Sequence, residues 1–312
     1  MLGWKLLLAD LRFYTLDVFT DTLFGGNPLA VVFGAESLGT DRMQAIAAEF
    51  NLSETVFVLP PVRSTSTRRI RIFTPRAELP FAGHPTIGTA WLLAALGEFE
   101  PAECESAESG PRVVLEEAVG DVEVAVKMTD DQPLAATMTV PVTPAELSFS
   151  HQAGQLAPML ALDPDDFRPD YEPCIYSCGT PFIFVCLNSV DAVRRARLRA
   201  DVMDSLLAGA EANMVFIFAF DTESPHAQIH ARMFAPAMGV PEDPATGGAV
   251  SALAGLLAAR QQDGKYELVI EQGVEMGRPS ILTLEYECRG GQASPVRVGG
   301  SCVRVSKGSL TL

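Results

Sequence analysis

The feature that most constrains the fold is a sequence motif that occurs once in each half of the chain. Residues 71–86 and 232–248 share an arginine, a phenylalanine and two prolines at one offset of 161 residues (232 − 71). The recurring residues are Arg71, Phe73, Pro75 and Pro80 in the first half and Arg232, Phe234, Pro236 and Pro241 in the second. Such a period is too long for a solenoid repeat. The repeat favours two similar domains with a cleft between them. The alternative is that Pro-flanked turns look alike by chance.

Weaker similarities between the two halves occur in the same order along the chain. Residues 26–32 resemble residues 179–185, and residues 55–57 resemble residues 214–216. Four prolines between residues 138 and 164 separate the two sets of motifs. We therefore expect domains at residues 12–142 and 143–312 that superpose on each other, each with its own sheet rather than one continuous sheet.

Each half also contains one helical pattern that is apolar on almost every side. The two patterns run from about residue 86 to 96 and from about residue 248 to 259. A helix that is apolar all round is buried by other structure. The sequence therefore predicts a curved sheet around a central helix in each domain.

Composition limits the class of partner and the cellular setting. The 312-residue chain carries a formal net charge of −16, which repels nucleic acid and anionic membrane surfaces. Its six cysteines form no CxxC pair, and His226 and His230 have no third ligand in sequence, so we predict no metal site. A reduced cytoplasmic protein is the simplest account of the thiols. Residues 1–11 are expected to be a loosely held extension.

The turns before the two apolar helices predict an anion site. The first N–H groups of a helix lack intrahelical acceptors and can hold a negatively charged group. If both helix starts point into the cleft, a sulfate, phosphate or carboxylate should bind between Gly83-His84 and Thr246-Gly247-Gly248.

Three ionisable residues are candidates for chemistry, and each has an ordinary alternative. Glu54, at a strand entrance between Leu52 and Val56, can act as a general acid or base if it is desolvated, although glutamate is usually an exposed charge. His84 can donate to a substrate oxygen or make a structural hydrogen bond. Asp243 occupies the matching turn of the second half, where it could also cap the helix. A catalytic role is favoured only if the fold brings these three side chains together in one site.

Six motifs, in order from about residue 12 to the C-terminus, resemble those of the PhzF family of phenazine-biosynthesis-like isomerases. They lie at residues 15–20 (TLDVFT), 24–31 (FGGNPLAV), 51–55 (NLSET), 81–88 (FAGHPTIG), 243–249 (DPATGGA) and 272–280 (QGVEMGRPS). The resemblance implies an α+β fold of two pseudo-symmetric, diaminopimelate-epimerase-like domains. Each would be a β-barrel-like sheet around a central helix, with the active site between them.

The resemblance also implies roles for the candidate residues. Glu54 matches the family's proton-transferring glutamate, and His84 and Asp243 match its histidine and aspartate. The family typically has Gly-Ser-Ala where this chain has Gly247-Gly248-Ala249, so one hydroxyl donor to the substrate carboxylate is missing while backbone N–H donors remain. The implied protein is a homodimeric isomerase that needs no cofactor and acts on a small carboxylated molecule.

A two-base epimerase and a non-catalytic binding protein are the alternatives to that function. A two-base epimerase would need paired thiols, but no cysteine lies before Cys104 or between Cys186 and Cys288, so neither cleft loop carries one. A binding or regulatory protein that keeps the fold without catalysis stays open, because Gly248 departs from the family pattern.

Overall fold

The computed structural model describes residues 10–98, 110–130 and 132–312. Within these ranges the strands are β1 (Asp10–Val18), β2 (Asn27–Phe33), β3 (Glu54–Leu59), β4 (Arg68–Phe73), β5 (Glu78–Leu79), β6 (Arg112–Glu117), β7 (Gly120–Thr129), β8 (Gln132–Thr139), β9 (Ala145–Leu147), β10 (Cys174–Ser177), β11 (Pro181–Cys186), β12 (Val215–Ala219), β13 (Ile229–Ala235), β14 (Val240–Asp243), β15 (Gly264–Gln272), β16 (Ser280–Arg289) and β17 (Gln292–Thr311). The helices are α1 (Thr40–Phe50), α2 (Gly83–Ala95), α3 (Ala153–Leu160), α4 (Val190–Arg195), α5 (Ala200–Leu206) and α6 (Gly247–Ala258).

The strand pairing of the first half is repeated in the second. In the first half β1–β2 is antiparallel, β2–β3 parallel, β3–β4 antiparallel and β4–β6 parallel, followed by the antiparallel β6–β7–β8. The strands from β10 to β17 repeat this order of pairings: β10–β11, β11–β12, β12–β13, β13–β15 and then β15–β16–β17. The mixed α/β architecture with a barrel-like sheet follows from this repeated pattern.

The two halves share one hydrogen-bonded sheet, so the expectation of separate sheets is wrong. The 20-residue strand β17 pairs with β16, then through residues 297–301 with β8, and finally through residues 302–311 with β1. Strand β9, which follows the predicted boundary at residue 143, pairs with β10 within the second half. The last strands of each half thus continue into the other half. The division at residue 143 stays a prediction.

The start of the chain partly contradicts the predicted loose extension. Residues 1–9 lie outside the described residues. Asp10 and Leu11 belong to β1 and pair with Thr311 and Leu310. Leu11 is buried and packs in the cluster beneath α1. The ordered sheet therefore begins two residues before the expected boundary, because the C-terminal strand supplies a partner that the local sequence does not reveal.

Both central helices are enclosed, as predicted. Every residue of α2 from Gly83 to Ala94 is buried, among strands that include β1, β2, β7, β8 and β17. Helix α6 is buried in the same way, mainly against β10, β11, β16 and β17. Helix α2 begins before the predicted Thr86 because Pro85 is compatible with a first helical turn, whose N–H groups lack partners anyway.

The recurring arginine and phenylalanine form the same structural unit in both halves. The Arg71 guanidinium donates through Nε and Nη2 to the two carboxylate oxygens of Glu78, at 2.7 Å each. Arg232 makes the same two-bond contact with Glu242, at 2.8 and 2.9 Å. Each guanidinium also lies over its own phenylalanine ring, 5.1 Å from the Phe73 centroid in the first half and 4.9 Å from that of Phe234 in the second. The repeated motif thus corresponds to an arginine–glutamate ion pair that joins each short strand, β5 or β14, to its neighbouring strand.

The segment between β11 and β12 forms two short helices, α4 and α5. The buried Arg232 donates to the carbonyls of Val193 and Ala196, both at 2.9 Å, where α4 ends. Among the ranges described above, no helix is long and apolar enough to cross a membrane.

Candidate active site

The N-terminal ends of the two central helices meet head to head. A Cβ placed on Gly83 would lie 3.4 Å from the Gly247 Cα and from the Gly248 nitrogen. The first N–H groups of α2 and α6 have no carbonyl one turn earlier to bind, and both helix dipoles direct their positive ends to this point. The geometry predicted from the two turns is therefore present.

A cavity of about 270 Å³ lies between the halves at this junction. It is lined by every residue that the sequence singled out, namely Glu54, Gly83, His84, Asp243, Thr246, Gly247 and Gly248. The structure therefore brings together candidates that are up to 194 residues apart (248 − 54). Their roles in binding or catalysis remain to be tested.

Glu54 is the first residue of β3 and lies at the polar end of the cavity. Its side chain is 16% exposed, and its Oε2 atom lies 3.3 Å from His84 Nε2. Burial, with a further contribution from the negative charge of Asp243, raises the pKa of Glu54 to about 8. The group is therefore largely protonated at pH 7, and its ionised form is a stronger base than an ordinary carboxylate.

His84 is the second residue of α2 and is buried. Burial lowers the pKa of its imidazole to about 3, so the ring is neutral at physiological pH. The 3.3 Å contact with Glu54 therefore joins two largely uncharged groups near pH 7 and is not an ion pair there. Neither Glu54 Oε2 nor His84 Nε2 has a hydrogen-bond partner among the described residues.

Asp243 ends β14 and is fixed by hydrogen bonds from both halves. Its Oδ1 accepts from Asn27 Nδ2 at 2.8 Å, and its Oδ2 accepts from Thr246 Oγ1 at 2.6 Å. Burial raises the Asp243 pKa to about 6, and these two hydrogen bonds oppose the rise. Thr246, not Asp243, is the N-cap residue of α6. The capping alternative for Asp243 is therefore wrong.

Two amide side chains, which the sequence did not single out, support this aspartate. Asn27 Nδ2 also donates to the Ala245 carbonyl, at 2.9 Å. Gln272 accepts from the Thr246 N–H at 3.1 Å and donates to the Asp243 carbonyl at 2.8 Å. Both residues lie in motifs that carry the family resemblance, which is the signal that could have identified them.

A cysteine also lines the cavity, although the sequence placed none in the two cleft loops. Cys178 lies in the turn between β10 and β11, and burial raises the pKa of its thiol to about 12. A thiol with that pKa is not a base near neutral pH. No second cysteine within the described ranges lines the cavity. The paired thiols of a two-base epimerase are therefore missing from this part of the chain.

A buried carboxyl, Glu117, lies against the first turn of α2. Its Oε1 accepts from Thr86 Oγ1 at 2.6 Å, and its Oε2 is buried without a partner. Burial raises the Glu117 pKa to about 8, against the lowering effect of the Thr86 hydrogen bond. The folded protein thus keeps a proton there that the unfolded chain loses near its ordinary value of 4.5.

We expect Glu117→Gln to make stability less sensitive to alkaline pH. In the parent, this group lowers the free energy of unfolding by about 1.4 kcal/mol per pH unit between its two pKa values. Urea unfolding should therefore find the variant close to the parent at pH 5 and more stable at pH 9. Glu116→Gln is the matched control, because hydrogen bonds, chiefly from the Arg63 backbone, lower the Glu116 pKa. A Glu117→Gln difference that does not grow with pH would contradict the argument.

A second ionisable cluster surrounds the buried His230, outside the cavity. His230 Nδ1 lies 2.7 Å from Glu271 Oε1, and Nε2 lies 2.9 Å from Glu275 Oε1. Burial lowers the His230 pKa, but hydrogen bonds to Glu275 and Glu271 outweigh that effect and the pKa is raised. With Glu223, His230 and Glu275 form a group whose ligand atoms lie within 4.8 Å of one another. The sequence missed this group because its members are distant along the chain, and His226 is not part of it.

Comparison with known proteins gives one consistent result. The family model of the PhzC-PhzF phenazine biosynthesis-like proteins matches residues 16–308. An uncharacterized isomerase of Mesorhizobium japonicum is 39% identical over 94% of this chain and 96% of its own. The trans-2,3-dihydro-3-hydroxyanthranilate isomerase of Pseudomonas aeruginosa is 36% identical over 96% of this chain and 99% of its own.

Solved structures show the same fold. A PhzF-family phenazine biosynthesis protein of Bacillus anthracis has a TM-score of 0.86 at 23% identity, covering 98% of this chain and 100% of its own. A hydroxyproline epimerase of Agrobacterium vitis has a TM-score of 0.65 at 14% identity, covering 99% and 94%. The epimerase-like architecture expected for this chain is thus shared with enzymes whose sequences are very different.

Proposed function

Since the chain belongs to the PhzC-PhzF phenazine biosynthesis-like family, we propose that it is an isomerase that moves a proton between two carbons of a small carboxylated molecule. The observation that carries the proposal is the buried Glu54 carboxyl beside two opposed helix starts. Together they provide a base of raised pKa and a place for negative charge. The expected homodimer stays a prediction.

In the proposed mechanism, ionised Glu54 removes a proton from one carbon of the substrate. The electron pair of that C–H bond shifts the neighbouring double bond, and the protonated Glu54 returns the proton to another carbon on the same face. Atoms and charge balance without a further reactant. Negative charge that develops on the substrate carboxylate lies against the N–H groups at the starts of α2 and α6.

The other two ionisable residues are proposed to position the substrate. Neutral His84, with its free Nε2, exchanges a hydrogen bond with a substrate oxygen or with Glu54. Asp243 holds the turn that begins α6, and its negative charge keeps the Glu54 pKa high. These groups orient the reacting carbons near the base, as a proton shift requires.

Deuterium exchange tests this function directly. Candidate carboxylated metabolites that raise the melting temperature of the protein are incubated with it in deuterated water, and mass spectrometry follows uptake at carbon. An isomerase incorporates deuterium and forms the isomer. Binding without exchange, for every ligand that stabilises the protein, would favour the non-catalytic alternative.

The pH dependence of kcat/KM should report the Glu54 pKa of the free enzyme. Because the ionised form is the base, we expect the rate to rise about tenfold per pH unit and to level off near pH 8. Asp243→Asn removes a charge that raises this pKa, so the plateau should begin at a lower pH. A rate that falls between pH 6 and 8, or a plateau that Asp243→Asn does not move, would contradict this assignment.

A further inference from the structure

The cavity wall divides into a small polar end and a larger apolar surface. The polar end holds Glu54, His84 and the two helix starts. The rest of the lining is mostly apolar and includes Val142, Phe182 and three methionines, Met214, Met233 and Met238. Methionine side chains are flexible and polarisable, and they pack around apolar groups of varied shape. The body of a bound molecule therefore faces hydrocarbon and thioether groups.

The charge of the polar end accommodates one carboxylate. Each helix start is equivalent to roughly half a positive charge, so the two together balance about one anion. No lysine or arginine lines the cavity within residues 10–98, 110–130 and 132–312. The exposed Arg76 lies at the rim, against Gly239, outside the lining. A second carboxylate inside the cavity would be desolvated beside Asp243 without a compensating cation.

Few donors or acceptors are available to polar groups on the body of the ligand. At Gly248 a Cβ would lie 3.6 Å from the Phe182 ring, so this position has room for a side chain but offers no hydroxyl. Among the hydroxyls of the lining, that of Thr74 already donates to the Ala77 carbonyl and that of Thr246 to Asp243. Thr180 is exposed, and Ser53 directly precedes Glu54. A buried amino or hydroxyl group without a partner costs about 1–3 kcal/mol.

We propose that this site selects monocarboxylates with an apolar, uncharged body and discriminates against a second carboxylate and against amino or hydroxyl groups on that body. The inference rests on the proposed function, because it concerns the substrate of the same site. It separates this chain from the relative named for trans-2,3-dihydro-3-hydroxyanthranilate, a ring carboxylate that carries both an amino and a hydroxyl group.

Calorimetric titration with a graded series of stable ring compounds tests the selectivity. Benzoate is the reference; anthranilate adds an amino group, 3-hydroxyanthranilate adds a hydroxyl to that, phthalate adds a second carboxylate on the neighbouring carbon, and benzamide removes the charge. We expect benzoate to bind most tightly and each of the others to bind about 5- to 150-fold more weakly. Equal or tighter binding of anthranilate, 3-hydroxyanthranilate or phthalate would overturn the proposal, as would failure of benzoate to bind at millimolar concentration.

Two variants locate the selectivity in the apolar wall. Met233→Gln keeps the side-chain length and adds an amide, and Gly248→Ser adds a hydroxyl beside Phe182. Both should reduce the preference for benzoate over 3-hydroxyanthranilate by about fivefold or more. Met276→Gln, a partly exposed methionine outside the lining, is the control. If neither cavity variant changes the ratio, the wall does not set the selectivity and the proposal fails.

Calorimetric binding tests the selectivity, and deuterium exchange separately tests the isomerase activity. A preference for benzoate, with no deuterium exchange on any monocarboxylate, would overturn the isomerase and leave the selectivity standing. Exchange on polar or dicarboxylated molecules, with weak benzoate binding, would support the isomerase and overturn the selectivity.

Discussion

Glu54→Gln is expected to lower the rate of deuterium exchange into a true substrate by about 10²–10⁴-fold, the usual contribution of a general acid or base. Glutamine keeps the size and shape of the side chain but cannot accept the proton. Substrate binding should stay within roughly tenfold of the parent, because in the proposed site the helix starts, and not Glu54, hold the substrate carboxylate. Single-turnover exchange together with calorimetric binding measures both quantities.

Two comparisons make this result interpretable. Glu49→Gln, on the exposed side of α1, changes the same functional group away from the cavity and should leave exchange unchanged. Asp243→Asn should retain more activity than Glu54→Gln, since its proposed role is indirect. If Glu54→Gln exchanges at the parent rate while Asp243→Asn does not exchange at all, Asp243 is the base.

Gly83→Val is expected to weaken anion binding on the order of 100-fold, the equivalent of two lost charge-assisted hydrogen bonds. A Cβ at Gly83 already reaches contact distance, 3.4 Å, from the backbone of Gly247 and Gly248. The two methyl groups of valine extend beyond that point and push the helix starts apart. Sulfate or benzoate titration measures the loss, and kcat/KM should fall with it.

Gly154→Val provides the matched control for this prediction. It makes the same change in the first turn of α3, where a Cβ would meet no atom within 4 Å. Thermal unfolding of both variants shows whether the fold persists. Anion binding by Gly83→Val at the parent affinity would contradict the head-to-head arrangement as the source of the site.

Features that depend on nearby residues were accessible from the sequence. The repeated Arg-x-Phe motif corresponds to an arginine–glutamate ion pair whose two residues lie within eleven residues of each other in both halves. The apolar character of both central helices predicted their burial. The motifs around Glu54, His84 and Asp243 were sufficient to name seven of the residues that line the cavity.

Features that depend on distant partners were not accessible. Nothing near β17 indicates that it would pair with β1 and β8, since the hydrogen-bonding edge of a strand carries no record of its partner. The apolar wall brings Val142, Met214 and Met233 together from three separate segments. The raised Glu54 pKa likewise results from burial in the folded protein and from Asp243, which is 189 residues away in sequence (243 − 54).

The pairing of the first strand with the last has a consequence for how the protein is made. Residues 10–18 leave the ribosome long before the residues that complete their hydrogen bonding, 302–311, are translated. At about 5–20 residues per second this delay is roughly 15–60 s. During that time β1 and β8 each expose an unpaired edge to other nascent chains, which is the geometry that leads to aggregation. The sheet therefore cannot close until β17 has been translated, and until then both edges are accessible to chaperones and to other chains.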